Sequence, residues 1–255
     1  MLLVIDIGNT NTVIGLFNDD KLVVHWRLAS QRHRTADEYG IMIKEFFLLN
    51  NIDISGITDV IISCVVPPLL PILKEMSNSY FKVNPLIVGH DTKTGLSILY
   101  DNPKDVGADR IANAVAGYEK FGGPLIVVDF GTAITFDVVS KKGDYLGGLI
   151  FPGISISMEA LFNKAAKLPR VELISPTALI GKTTSESIQA GAVHGYVGLV
   201  DNVVIKIQKE TGKETKVIST GGQADLIAKH SALIQENCPL LTLDGLKIIY
   251  DKNKN

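Results

Sequence analysis

The chain has 255 residues, of which 46% are apolar and 20% charged, and its formal net charge is −2. This size and composition allow two packed lobes of about 120 residues each and exclude wholesale disorder. Lysine and arginine are scattered along the sequence, so we expect no basic face for nucleic acid. Two cysteines, Cys64 and Cys238, cannot build a disulfide framework or a four-ligand zinc site.

Apolar runs alternate with turn residues at the start of the chain, and helical spacing follows. Asn18-Asp19-Asp20 separates two apolar runs and predicts a hairpin. Thr35 and Glu38 match a capping box at the start of a helix. The elements predicted in the first half are strands at 2–5, 13–17, 22–28, 60–66 and 86–88 and helices at 35–50, 67–80 and 111–118.

The second half repeats this order, with three strands first and helices after them. Its predicted elements are strands at 125–129, 135–139, 145–150 and 216–219 and helices at 154–167, 184–211 and after residue 222. No linker rich in Pro, Gly or Ser separates the halves, so we predict a hinge near residues 121–123. The predicted domains are therefore 1–121 and 122–255.

No targeting or membrane signal is evident in the sequence. No basic region precedes an apolar stretch, Asp6 interrupts the first hydrophobic run, and no apolar segment approaches 18 residues. We therefore expect no signal peptide, no membrane contact and a cytoplasmic location.

One strand and its turn occur twice, 123 positions apart. The heptapeptide at 2–8, Leu-Leu-Val-Ile-Asp-Ile-Gly, is echoed at 125–131 by Leu-Ile-Val-Val-Asp-Phe-Gly. The same offset aligns Asp6 with Asp129 and Thr12 with Thr135. Each copy is an apolar strand ending in Asp-x-Gly with hydroxyl or amide residues in the turn. A single copy is usually a simple turn, but two copies at matching positions of two similar halves favour phosphate binding.

These duplicated turns indicate phosphoryl transfer. A buried strand fixes a carboxylate, and a glycine lets backbone N–H groups approach a phosphate closely. Asp6 would suit Mg²⁺, while Thr10, Asn11 and Thr12 offer donors to phosphate oxygens. Asp129 would bind a cation or position a nucleophile, two roles that spacing alone does not separate, and Thr132 would donate to the terminal phosphate. We expect the two turns to face each other around a nucleotide.

Two further segments carry functional residue types. Ser219-Thr220-Gly221-Gly222 follows a strand, and its paired glycines would leave a flat surface for a purine. Asp109-Arg110 precedes an apolar helical stretch; Asp105 or Asp109 could simply cap that helix, or Asp109 could be a general base beside an anion-binding arginine. Gly181-Lys182-Thr183 fails as a P-loop because Pro176 stands where its first glycine should be.

Taken together, the motifs resemble those of the type III pantothenate kinases, bacterial enzymes of the superfamily that includes acetate kinase, sugar kinases, Hsp70 and actin. The similarity covers nearly the whole chain. Residues 6–10 resemble the family's first phosphate motif, 128–133 its second and 219–222 its adenosine motif. Tyr100 and Gly107-Ala108-Asp109-Arg110 resemble its pantothenate site, and this tetrapeptide is the most discriminating match, since superfamily relatives with other substrates lack it.

The resemblance implies an α/β fold of two ribonuclease H-like lobes, a duplicated actin-like ATPase fold with mixed sheets flanked by helices. The first domain would carry the first phosphate motif and the pantothenate-binding segment, and the second domain would carry the second phosphate motif and the adenosine motif. The implied reaction is ATP-dependent phosphorylation of the primary hydroxyl of pantothenate, which opens coenzyme A biosynthesis. A homodimer in the cytoplasm, with Mg²⁺ and K⁺ or NH₄⁺ as required ions, is implied as well.

The resemblance also implies a role for each matching residue. Asp109 would be the general base and Asp129 the ligand of the monovalent cation. Thr184 would reach pantothenate across a homodimer interface. The implied ATP contacts are Asp6, Ile7, Gly8, Asn9, Thr10, Asn11, Thr12, Val13, Thr132, Gly221 and Gly222, and the implied pantothenate contacts are Tyr100, Gly107, Ala108, Asp109, Arg110 and Thr184.

Two alternative functions remain at this point. A kinase of the same superfamily could act on another small hydroxyl substrate, such as a sugar, or on a carboxylate. A non-catalytic nucleotide-binding regulatory protein could use the same fold, although such a protein could dispense with Asp109 and Arg110, which are both present here.

Overall fold

A computed structural model of the chain describes residues 1–254. The strands are β1 (Leu2–Ile7), β2 (Asn11–Asn18), β3 (Lys21–Ala29), β4 (Asp59–Cys64), β5 (Leu86–Ile87), β6 (Ser97–Ile98), β7 (Leu125–Phe130), β8 (Ala133–Val139), β9 (Asp144–Pro152), β10 (Lys216–Thr220) and β11 (Glu236–Asn237). The helices are α1 (Ala36–Leu49), α2 (Leu69–Met76), α3 (Ala108–Phe121), α4 (Ile154–Lys164), α5 (Thr184–Thr211), α6 (Ala224–Ala228) and α7 (Leu241–Asn253).

The chain folds into two compact units. One comprises Met1–Gly95, Asp101–Ala116 and the residues from Leu241 onward; the other comprises Leu96–Tyr100 and Gly117–Leu240. The domain boundary expected between residues 121 and 122 stays a prediction. The last helix, α7, belongs to the first unit, whereas a boundary at that point would place it in the second domain.

A five-stranded mixed sheet forms the centre of the first unit, in the order β3-β2-β1-β4-β5. The meander β1–β3 is antiparallel, and β4 lies parallel to β1. Leu3, Ile5 and Ile7 pack into one core with α1 and α2. Because side chains alternate along a strand, Val4 and Asp6 face the opposite side, where Leu243 of α7 lies against Gly15.

The capping box predicted for α1 is present. The backbone N–H of Glu38 donates to Thr35 Oγ1 at 3.2 Å, and the backbone N–H of Thr35 donates to Glu38 Oε2 at 2.6 Å. The helix therefore begins directly after Thr35, because two N–H groups that the first turn leaves without helical partners are bonded there.

A six-stranded mixed sheet forms the centre of the second unit, in the order β11-β10-β7-β8-β9-β6. Ile126, Val128 and Phe130 of β7 pack with residues of α4, α5 and α6. Leu125, Val127 and Asp129 therefore face the other side, where Gly117 lies against Leu125 and Val127. The sheet of each unit thus points its strand-end aspartate away from the helices that cover its main core.

The two strand-turn copies differ in turn length. Three residues, Gly8–Thr10, separate β1 from β2, but only Gly131 and Thr132 separate β7 from β8. As a result Asp6 pairs with Val13 across its hairpin, whereas Asp129 pairs with Thr135. The sequence alignment of Thr12 with Thr135 is therefore wrong in three dimensions, because the offset falls by one after the turn and a one-residue slip reverses the face of a strand residue.

Candidate active site

β1 and β7 bury their residues in the same pattern. Every residue of Leu2–Ile7 is buried except Asp6, and every residue of Leu125–Phe130 is buried except Asp129, both of which are half-buried. Each sheet therefore carries one partly accessible carboxylate at the end of an otherwise apolar strand. This is the arrangement that the duplicated sequence predicts within each unit.

Ser63 and Cys64 lie beside the end of β1 in the first unit. Asp6 is in register with Ser63 and Ile7 with Cys64. The Ser63 hydroxyl is buried and has no hydrogen-bond partner among residues 1–254. Burial raises the pKa of the Cys64 thiol, and the nearby Asp6 charge raises it further. Cys64 is thus kept as a neutral thiol that donates to the Val66 carbonyl at 3.2 Å.

The first predicted phosphate loop has an outer and an inner part. Asn9 and Thr10 are exposed, and Gly8, Asn11 and Val13 are half-buried. The backbone N–H of Gly8 donates to the Asn11 carbonyl at 2.9 Å and closes the turn. Ile7 and Thr12 are fully buried. The Thr12 hydroxyl lies 2.9 Å from Ser30 Oγ, so it braces the turn from behind and does not face solvent.

Asp109 lies in the first turn of α3 at the same end of the first unit's sheet. Its Oδ1 accepts the backbone N–H of Arg110 at 2.8 Å. Gly107 lies against this carboxylate and against Val65, whose own N–H donates to the Ile7 carbonyl at 3.0 Å. The segment 107–109 and the end of β1 are therefore neighbours within this unit.

The electrostatics of Asp109 differ from those of a surface carboxylate. Burial raises the pKa of Asp109, although the N–H and the charge of Arg110 act in the opposite direction. Arg110 is itself buried. A carboxyl group held this way binds a proton more readily than an exposed aspartate does, which suits a general base.

In the second unit, Asp129 and the predicted adenosine motif are in direct proximity. Asp129 is in register with Thr220, and Gly221 follows with a φ of 96°. A Cβ atom at Gly221 would lie 2.4 Å from Asp129 Oδ1 and 2.6 Å from backbone atoms of Phe130. Gly221 therefore packs against the carboxylate and the end of β7 more closely than a residue with a side chain could. Gly222 is exposed next to it.

Thr132 lies in the turn after β7, half-buried, and its carbonyl accepts the N–H of Gly153 at 3.1 Å. A Cβ at Gly153 would lie 2.2 Å from that carbonyl oxygen, so the turn and the start of α4 approach each other as closely as a glycine allows. Thr132 and Asp129 thus belong to one rigid strand-turn.

Tyr100 packs beside Tyr145, which belongs to a buried hydrogen-bond network that the sequence does not predict. Its ring centroid is 6.4 Å from that of Tyr145, and it packs over Gly147. The Tyr145 hydroxyl donates to Asp137 Oδ1 at 2.7 Å, and Thr135 Oγ1 donates to Asp137 Oδ2 at 3.1 Å. The only sequence signal was an aspartate inside an apolar strand, which typically marks a hydrogen-bonded network.

Thr184 is the exposed first residue of α5. The residue before it, Thr183, accepts the N–H of Glu186 at 3.2 Å and forms a capping box with it. This explains Gly181-Lys182-Thr183 as a helix start and agrees with the rejection of a P-loop there.

The donor groups suit ions that bind partly through substrate. Among residues 1–254 no group of three or more His, Cys, Asp or Glu side chains could hold a metal. Mg²⁺ usually binds through one or two carboxylates together with substrate phosphates, so a single strand-end Asp6 fits that ion. No helix in the same range is long and apolar enough to span a membrane.

Two solved structures show the class of fold. A Campylobacter jejuni protein assigned to the Baf family of transcriptional activators aligns with a TM-score of 0.63 and 22% identity, covering 98% of each chain. An inorganic polyphosphate/ATP-glucomannokinase from Arthrobacter sp. strain KM aligns with a TM-score of 0.50 and 15% identity, covering 99% of this chain and 98% of that one. The fold, with its duplicated strand-turns, is therefore that of the actin-like ATPases and sugar kinases, as the family resemblance implies.

Sequence comparison narrows this class to one family. Residues 2–206 match the profile of the family described as type III pantothenate kinase. Proteins of that name from Geotalea daltonii and Myxococcus xanthus are 56% and 54% identical to this chain, covering 100% and 99% of it and 99% of each relative. The chain belongs to the type III pantothenate kinase family, which confirms the resemblance. It is thus an ATP-using phosphotransferase of coenzyme A biosynthesis.

Proposed function

We propose that the chain phosphorylates pantothenate with Asp109 as the general base. Family membership supports the substrate and the reaction. The observation that carries the role of Asp109 is its geometry: a carboxylate whose pKa burial raises, fixed by the Arg110 N–H at 2.8 Å, in the tetrapeptide that resembles the family's pantothenate site.

The proposed chemical step is a direct transfer. Asp109 accepts the proton of the pantothenate hydroxyl while that oxygen forms a bond to the γ-phosphorus of ATP. The bond between this phosphorus and the β,γ-bridging oxygen breaks, and ADP leaves with the electron pair. Such reactions depend mainly on positioning and on stabilisation of the charge spread over the phosphoryl oxygens.

The substrate contacts follow the residue matches. Residues 6–13 are assigned to the ATP phosphate loop, in which the buried Thr12 supports the turn. Thr132 is assigned to the ATP phosphates, and Gly221 and Gly222 are assigned to the adenosine. Tyr100 and residues 107–110 are assigned to pantothenate, with Arg110 as the donor to its carboxylate. Mg²⁺ held by Asp6 would neutralise developing charge on the phosphates when bound. We place the reaction in the cytoplasm, where ATP is abundant.

The direct test is a coupled assay with purified protein, ATP, Mg²⁺, K⁺ and pantothenate. ADP release that depends on pantothenate supports the proposal. Release that depends instead on a sugar or acetate identifies a different small-molecule kinase, and ATP binding without any turnover identifies a non-catalytic nucleotide-binding protein.

Asp129 is proposed to hold the monovalent cation, because it is the one half-buried carboxylate of β7 and lies in the stretch that resembles the family's second phosphate motif. Replacing K⁺ by Na⁺ at equal ionic strength should lower kcat/KM for ATP roughly tenfold, the effect of about 1.4 kcal/mol, because Na⁺ is too small for the site. Steady-state rates in the two salts measure this. The Asp129→Asn variant should lose the preference, and equal wild-type rates in both salts would remove the role of Asp129.

Thr184 is proposed to reach the pantothenate of a second subunit in a homodimer. The expected solution mass is twice the 27.6 kDa of one chain. Thr184→Ala should lower kcat/KM for pantothenate up to about tenfold, the effect of one lost hydrogen bond. Mixing this variant with Asp109→Asn and allowing subunits to exchange should then raise activity above the average of the two, because one site per mixed dimer is intact. No gain on mixing would place Thr184 in its own subunit's site.

A further inference from the structure

We propose that Ser30 is a positioning residue for the first phosphate turn, Gly8–Thr10, holding its peptide groups so that their N–H groups point toward the ATP phosphates. This inference rests on the proposed assignment of residues 6–13 to ATP. Ser30 directly follows β3 and belongs to no motif in the sequence.

Ser30 makes three hydrogen bonds at this turn. Two go to carbonyl groups of the turn, and the third joins its hydroxyl to a buried hydroxyl beneath the turn. Its Oγ donates to the Gly8 carbonyl at 2.7 Å, and its backbone N–H donates to the Thr10 carbonyl at 2.9 Å. Its Oγ also lies 2.9 Å from Thr12 Oγ1, where the Thr12 hydroxyl can donate while that of Ser30 is used on Gly8. Thr12 is fully buried, so this support is anchored in the core.

These bonds fix the direction of two further groups. In a trans peptide the carbonyl and the following N–H point in opposite directions. The Gly8 and Thr10 carbonyls point at Ser30, so the N–H groups of Asn9 and Asn11 point away from it. N–H groups presented in this way attract a phosphate, whereas a carbonyl oxygen in the same place would repel it.

The second unit contains the same backbone bond without the hydroxyl. Gly153 follows β9 as Ser30 follows β3, and its N–H donates to the Thr132 carbonyl at 3.1 Å. A side chain cannot fit there, because a Cβ at Gly153 would lie 2.2 Å from that oxygen. The hydroxyl brace is therefore a feature of the first unit.

The carbonyl groups of the two turns are supported differently. The backbone bond from position 30 or 153 fixes the last carbonyl of each turn, that of Thr10 or Thr132. The Ser30 hydroxyl also fixes the carbonyl of Gly8. The matching carbonyl of Gly131 would lie 2.6 Å from a Cβ at Gly153, so a side chain there could not support it in the same way.

The test compares Ser30→Ala with the wild type in steady-state kinetics and in calorimetric ATP binding. We expect KM and Kd for ATP to rise about 3- to 10-fold, as for one or two lost hydrogen bonds, with KM for pantothenate within about twofold of wild type. Ser30→Thr, which keeps the hydroxyl, should restore ATP binding. Thr12→Val should add little to Ser30→Ala, because both act on one network.

A matched control is Ser77→Ala in the same unit. Ser77 is buried and its hydroxyl donates to the Leu73 carbonyl at 2.8 Å, a bond of similar length made four residues back along the chain. This control should leave KM for ATP unchanged, whatever its effect on the melting temperature. It separates positioning of the turn from a general loss of stability.

Asp6→Asn separates this inference from the assignment of the turn. If Asp6→Asn impairs ATP use while Ser30→Ala does not, the role of Ser30 is refuted and the turn assignment stands. If Asp6→Asn has wild-type ATP kinetics, the turn assignment itself fails. A Ser30→Ala defect that is equal for both substrates, or that Ser30→Thr does not restore, would also overturn the proposal.

Discussion

Asp109→Asn should lower kcat by roughly 10²–10⁴-fold, which is the usual contribution of a positioned general base to the rate, and should leave KM for ATP nearly unchanged. The substitution keeps the shape of the side chain, and its amide oxygen can still accept the Arg110 N–H. It removes the group that takes the proton from the attacking hydroxyl. Near-normal turnover by this variant would refute the assignment.

The same variant should be more stable than the wild type at neutral pH. Burial raises the pKa of Asp109, so the folded protein binds this proton more tightly than the unfolded chain does. That contribution to stability is full at low pH and is lost as pH rises through the raised pKa. Asparagine carries no charge to bury, so thermal unfolding near pH 7 should occur at a higher temperature. A purely structural aspartate would show the opposite change.

The pH dependence of the wild-type rate gives a second measurement. A base must be deprotonated to act, so kcat/KM for pantothenate should fall as pH falls through the raised pKa of Asp109. The acid limb should thus lie above about 3.9, the ordinary value for an exposed aspartate. Asp105→Asn is the matched control: Asp105 is exposed in the same segment, bonded to Asn102 at 2.9 Å, and its loss should change neither the rate nor the profile.

Gly221→Ala should lower kcat/KM for ATP by on the order of 10²-fold and abolish the preference for K⁺. The added Cβ would lie 2.4 Å from Asp129 Oδ1 and 2.6 Å from the Phe130 backbone, so the carboxylate or the strand end must move. A displacement of about 1 Å in a catalytic site is enough for an effect of this size.

Backbone strain alone must be separated from this displacement. Gly221 has a φ of 96° and Gly212 has a φ of 101°, but a Cβ at Gly212 would meet nothing within 4 Å. Gly212→Ala should therefore cost about 1–3 kcal/mol of stability from strain and retain both ATP kinetics and K⁺ preference. Equal kinetic damage in both variants would show that backbone strain, and not the close contact with Asp129, causes the loss.

Local signals account for the parts of the fold that the sequence predicted. The strands β1 and β7 are recognisable from their apolar runs, and α1 starts where Thr35 and Glu38 cap it, because these interactions span only a few residues. The helix α7 was not predicted, since its burial depends on partners more than 200 positions earlier in the chain, as in the contact of Leu243 with Gly15.

The candidate site likewise has residues that the sequence predicts and supporting contacts that it does not. Asp6, Asp129 and Asp109 stand in recognisable motifs, so sequence alone identified them. The contacts that support them depend on strand register. Ser30 reaches Gly8 only because β3 ends beside the turn, and Tyr145 reaches Asp137 across a hairpin whose register shifts at Val138 and Val139. The one-residue difference between the two turns also depends on where the strands end and pair, so the repeat in the sequence does not reveal it.

The late position of α7 in the chain has a consequence for biosynthesis. This helix buries Leu243, Leu246 and Ile249 in the first unit, packing on β1, β2 and β4. A ribosome that has already released the whole of that unit's sheet still holds the helix that covers one of its faces. The part of the first unit that is made earlier must therefore keep apolar surface exposed until α7 has left the ribosome, a period in which chaperones would protect it from aggregation.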